Sequence, residues 1–125
     1  MQSRVVIGLL MGMLLGLTAS CPLLADDKAG DKDVTITGEV VDTFCYSAMG
    51  AKGAGHRECG LKCAKAGIPM GLVDSKTDKL YVLLPSKDAS PVPSTVMDKM
   101  GKTASITGHE YSKGGSQFLT VETVQ

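Results

Sequence analysis

"TASITGHEYSKGGSQFLTVETV", residues 103–124, is the stretch that decides the fold. Apolar and polar residues alternate through "TASITGHEY" and again through "SQFLTVETV", the period of a strand with one buried face. Between them "SKGG", residues 112–115, has two glycines placed for a tight reversal, so the stretch predicts an antiparallel hairpin. Moving upstream, "PSTVMDKMG" (93–101) predicts a short helix with Ser94 as its cap, Val96, Met97 and Met100 apolar, and Gly101 as its stop. Earlier still, Met70–Asp74 and "LYVLLP" (80–85) flank the turn "SKTDK" and form a second hairpin. "VTITGEVVD" (34–42) reads as the first strand, with Gly38 marking a bend or bulge.

The order is strand, long connection, strand, strand, short helix, strand, strand. That is the order of an OB-fold, a small Greek-key barrel. The predicted fold is therefore mainly β: a five-stranded OB-like barrel with a Cys-bearing short helix between strands 1 and 2, and a second short helix between strands 3 and 4. "ITGEVVD" and "ITGHEYSKGGSQFLTVETV" also resemble the first and last two strands of exported bacterial OB-like proteins.

The N-terminus reads as an export signal. Arg4 precedes an apolar run from Val5 to Leu17 and small residues follow in "LTASC". The run is too short for a membrane span, which needs about 20 residues. Cutting after Ala25 gives a signal peptide of residues 1–25, a flexible charged leader at 26–33 and a domain at 34–125. Lipoprotein processing at "TASC" would instead anchor Cys21 to a lipid, although Thr18 stands where that pattern has an aliphatic residue. Either way the protein is expected to be exported and periplasmic, without a transmembrane segment.

Only Arg4, among 13 basic and 13 acidic side chains, lies in the signal, so the mature chain carries about one net negative charge. No basic footprint for nucleic acid exists, and with two Phe, three Tyr and no Trp, stacking platforms are scarce. No paired carboxylates, phosphate loop or serine-nucleophile elbow appears. The reading is of a binding protein, not an enzyme.

Chemistry concentrates in the long connection after strand 1. Residues 43–55 are rich in Gly, Ala and Ser and read as a loop; "HRECGLKCAKAG" then predicts a helix, with Gly67 capping it and Pro69 beyond. At about 100° per residue, His56, Cys59, Cys63 and Ala66 share one stripe, which should face the barrel or the segment bearing Cys45. Gly60 costs such a helix roughly 1 kcal/mol relative to Ala. The run Cys-Tyr, His-x-x-Cys-x-x-x-Cys, Gly-x-Pro-x-Gly also resembles a group of small exported bacterial proteins to which no activity is attached. The resemblance implies an exported domain and lends no catalytic residue.

Three readings compete for the thiols. A metal site would use Cys45, Cys59, Cys63 and His56, a set suited to zinc or Cu(I), with Met49 or Met70 as neighbouring thioethers. A disulfide from Cys45 to a helical cysteine would staple the loop, adding roughly 3 kcal/mol, and leave one spare thiol in an envelope structural or interaction module with a protein partner. Pairing Cys59 with Cys63 suffers from nearly parallel Cβ vectors on one helix. A reactive Cys59 beside His56 and Lys62 is the third reading. Outside this cluster, His109 ends the fourth strand and could approach the Cys loop, and Asp42 could accept a hydrogen bond behind a ligand or simply be solvated.

Overall fold

Residues 33–125 are described in a computed structural model of the chain; the expected signal at 1–25, with Cys21, and residues 26–32 lie outside them. Alternation dictates strand β1 (Asp33–Asp42). Its Thr35 and Thr37 hydroxyls meet those of Thr107 and Ser105 across the ladder at 2.8 and 2.7 Å, while Val40 is wholly buried on the other face. The remaining strands are β2 (Met70–Asp74), β3 (Leu80–Pro85), β4 (Thr103–Lys113), β5 (Ser116–Val121) and the short β6 (Thr123–Val124). Helices α1 (Thr43–Met49) and α2 (Arg57–Lys65) lie between β1 and β2, and α3 (Ser94–Asp98) between β3 and β4.

β1 pairs antiparallel with both β2 and β4, β2 with β3, and β4 with β5, while β3 and β5 run parallel. The ring β1-β2-β3-β5-β4 therefore closes on itself, the OB-like barrel expected from the order of elements. Leu72, Tyr81, Leu83, Ile106 and Leu119 fill it, and Val96 of α3 and Met100 plug one end.

Three local details differ from the sequence reading. The segment 43–55 is not all loop, because α1 occupies its first half. Ser94 does not cap α3; Pro93 holds the cap position without a side-chain bond. The last strand breaks at Glu122, whose amide donates to the Thr107 carbonyl, and β6 then pairs with the start of β4.

Closure depends on two backbone crossings. β1 pairs with β4 through its first half and with β2 through its second, so it must bend where the partners change, at Gly38. A Cβ there would lie 2.1 Å from the Val73 carbonyl oxygen, and one at Gly108 in β4 would lie 1.8 Å from that of Thr120. Glycine is the residue that lets two backbones meet this closely.

His109 stands opposite Asp33 in the β1–β4 ladder, its Nδ1 3.4 Å from Asp33 Oδ1. The Cys-bearing insertion leaves from Asp42 at the other end of β1, up to about 30 Å further along the strand at its usual rise. The suggested approach of His109 to the Cys loop is thus wrong, because β1 carries the two to opposite ends of the barrel.

Two outcomes follow. Gly38→Ala and Gly108→Ala should each destabilise the fold by roughly 3 kcal/mol or more in urea melts, whereas Gly55→Ala, with open space around it, should melt close to wild type. Burial, together with the bond its hydroxyl donates to Glu110 Oε1 at 3.0 Å, pushes the Tyr81 phenol up to about 12. A folded-state value above the ordinary 10 means that the stabilisation is complete below pH 10 and fades as pH rises toward 12. Tyr81→Phe should flatten that alkaline limb in melts taken between pH 8 and 12.

Candidate metal centre

The insertion begins with a capping device. Asp42 ends β1 in an extended conformation, and its Oδ1 accepts the Cys45 amide at 2.8 Å, starting α1. Gly50, at φ +67°, closes the helix with its amide on the Tyr46 carbonyl at 2.8 Å. Thr43 ties the entry to the exit: its amide and hydroxyl both donate to the Pro69 carbonyl. The signal that finds α1 in the sequence is Asp42 three residues before Cys45 with Gly50 beyond Met49; the Gly, Ala and Ser content obscures it.

α2 ends as expected. Gly67 takes φ +96°, the Ile68 amide reaches the Cys63 carbonyl and the Gly67 amide that of Ala64, a Schellman closure. Its start is a short 3₁₀ turn (Ala54–His56) that places His56 at the cap. Gly60, Leu61 and Ala64 face the barrel. A Cβ on Gly60 would lie 2.8 Å from the Met100 sulfur, so a glycine that weakens the helix allows it to seat on the barrel end. Arg57 Nη1 donates to the Asp98 and Met100 carbonyls, and Glu39 Oε1 accepts the Gly53 amide. The Cys-bearing segment is thus clamped to β1 and to the α3–β4 connection.

That docking turns the stripe of His56, Cys59 and Cys63 away from the barrel and toward α1. Cys45 is buried, Cys63 half-buried and Cys59 exposed, and their three sulfurs lie within 4.8 Å of one another. Cys45 Sγ and Cys63 Sγ are 3.9 Å apart and hydrogen-bonded; no disulfide joins the three. His56 belongs to a second triad: its Nε2 lies 3.0 Å from Asp42 Oδ2, and Asp42, Cys45 and His56 also offer donor atoms within 4.8 Å of one another. The four predicted residues, with Asp42 as a fifth, therefore fall into two overlapping triads that share Cys45, and His56 is grouped with Cys45 but not with Cys59 or Cys63. Asp42 is a full participant, buried to 0 % exposure and not solvated. Met70 sits in the barrel core, away from a ligand's role, and Met49 is 67 % exposed.

The electrostatics follow from burial. Burial alone would raise the Asp42 carboxyl, but the bonds it accepts from the Cys45 amide and the His56 ring outweigh that and hold it below its ordinary value. Burial, reinforced by the neighbouring Asp42 carboxylate and Cys63, pushes the Cys45 thiol up to about 12. Burial also raises Cys63. These are protonated thiols, poor nucleophiles until a cation replaces their protons.

Compared with known proteins, the chain matches no family model, no curated protein and no solved structure. Among the described residues no helix is long and apolar enough to cross a membrane. What stands is an OB-like barrel carrying a cysteine cluster that could hold a metal ion.

Metal-free reduced protein treated with iodoacetamide at pH 8 should react in the order Cys59, Cys63, Cys45. Peptide mapping by mass spectrometry reads that order, and Cys45 should label only on unfolding.

Proposed function

We propose that this is an exported binding protein whose Cys45, Cys59 and Cys63 thiolates hold a single thiophilic metal ion, zinc or Cu(I), with His56 as the fourth ligand. The observation that carries this reading is the convergence of three sulfurs within 4.8 Å from two separate helices. Two thiolates on one tetrahedral ion with bonds near 2.3 Å sit about 3.8 Å apart, and the Cys45–Cys63 separation is 3.9 Å. The raised Cys45 and Cys63 thiols mean that loading releases protons and tightens as pH rises. The export signal supports a periplasmic setting, and a lipid at Cys21 would hold the barrel at a membrane surface.

The same 3.9 Å contact favours one alternative. Oxidation would join Cys45 to Cys63, the two thiols losing two protons and two electrons to a disulfide-bearing oxidant of the envelope, which is reduced to its dithiol. The product is a stapled interaction module with Cys59 left to meet a protein partner.

Titration separates the two. Mature protein isolated anaerobically should bind about one equivalent of zinc or Cu(I), and all three thiols should then resist alkylation. Cys45→Ser should weaken binding at least tenfold, since Cys45 belongs to both triads. One reactive thiol and no bound metal would establish the stapled form instead.

A further inference from the structure

We propose that the three cysteines are also a thiol–disulfide exchange centre, in which Cys59 takes up a disulfide from an envelope partner and passes it inward to Cys45 and Cys63. The finished Cys45–Cys63 bond withdraws two sulfurs from an ion, so oxidation empties the metal site. Only that last consequence rests on the metal reading.

The argument starts from the gradient of exposure across the cluster. Cys59 is exposed, Cys63 half-buried and Cys45 only 4 % exposed, yet the three sulfurs lie within 4.8 Å of one another. In disulfide exchange a sulfur must reach one end of the incoming bond, so access decides which thiol reacts first. A disulfide carried by a protein partner meets that condition at Cys59 and is kept from the buried Cys45.

The inner pair supplies the destination. Cys45 and Cys63 come from two helices, and their sulfurs stand 3.9 Å apart in a hydrogen-bonded contact. Cys59 and Cys63 lie on one helix with nearly parallel Cβ vectors, a poor fit to the disulfide dihedral of about 90°. The bond therefore comes to rest between Cys45 and Cys63. A sulfur held within 4.8 Å of its target reacts as an intramolecular partner, which lets a buried thiol resolve a bond formed at Cys59.

Three exchanges complete the transfer. The Cys59 sulfur attacks a partner disulfide RS–SR, forms Cys59–SR and expels one RS⁻, which takes the Cys59 proton. The Cys45 sulfur then attacks that of Cys59 and expels the second RS⁻, which takes the Cys45 proton. Finally Cys63 attacks Cys45, forms the inner disulfide and releases Cys59, which takes the Cys63 proton. In sum two protein thiols lose two electrons, one partner disulfide becomes two thiols, and Cys59 is returned unchanged.

The test uses the reduced mature chain, freed of metal by a chelator, with glutathione disulfide as the probe. Samples quenched in acid over time and mapped by mass spectrometry should show glutathione first on Cys59. They should end with a Cys45–Cys63 disulfide and a free Cys59 thiol. Cys59→Ser, a substitution at an exposed position, should keep the wild-type urea melt but form the inner disulfide at least about tenfold more slowly. Cys45→Ser should accumulate glutathione on Cys59, and Cys63→Ser should stop at a Cys45–Cys59 bond. Oxidised wild-type protein should bind no zinc until a dithiol reductant is added.

Glutathione found first on Cys63 or Cys45 would overturn the relay. So would an inner disulfide that forms at the wild-type rate in Cys59→Ser, or a chain that ends with glutathione on all three cysteines. Each of these results leaves zinc binding by the reduced protein standing. Oxidised protein that still holds zinc would overturn the emptying of the site. A relay that runs in a protein binding neither zinc nor Cu(I) would support the exchange centre and overturn the metal reading.

Discussion

The Asp42 carboxylate is the constraint from which the site is built. It is buried at the last residue of β1, where an unpaired charge would be expensive. Its two oxygens are answered by N–H groups from two different places: the Cys45 amide at the start of α1, and the His56 ring at the start of α2. One side chain thus ends a strand, begins one helix and fixes the approach of another. Because the Cys45 amide is held three residues along, the Cys45 sulfur is delivered beneath the insertion, where Cys63 meets it.

The barrel supplies the rigidity that such an arrangement needs. Gly38 and Gly108 allow the strands to cross closely enough to close the ring, and closure sets the position of the β1 C-terminus. The insertion is then fastened at several points: Arg57 to the carbonyls after α3, Glu39 to Gly53, Thr43 to Pro69, and Gly60 against Met100. Three of these contacts join the Cys-bearing segment to the rest of the chain, and the Thr43–Pro69 bond closes its two ends on each other. Sulfurs held this way stay close without a covalent link, so the ordering cost of assembling a ligand set is met during folding.

Burial gives the cluster its chemical character. Cys45 and Cys63 are raised by desolvation, and Cys45 further by the carboxylate beside it. Such thiols resist attack by electrophiles in their protonated form, and a thiophilic cation bound there would offset the cost of ionising them together. Cys59, exposed on the outer side of α2, leaves the cluster open to solvent on one side. A buried anchor and an open edge suit an ion that enters after folding.

Much of the architecture was legible because it rests on local periodicity. The two-residue alternation of 34–42 and 103–124, the turn chemistry of 75–79 and 112–115, and the Gly67–Pro69 stop of α2 each follow from neighbours in sequence. α1 was hidden because its start depends on a single capping carboxylate within a Gly- and Ala-rich segment. The break at Glu122 was hidden because it answers to pairing with β4 and not to the residues around it. The cysteines and His56 could be picked out from residue type and spacing alone. Their division into two triads could not, since it requires the distance between α1 and α2, set by the docking of Gly60 on Met100 and by Asp42. The sequence by itself determined the barrel order and the chemical nature of the candidate ligands, because both are written in short-range pattern. Tertiary structure alone decided that Asp42 holds His56 and that Cys63 is the sulfur paired with Cys45, because those contacts join residues 14 and 18 positions apart through the packing of the insertion on the barrel.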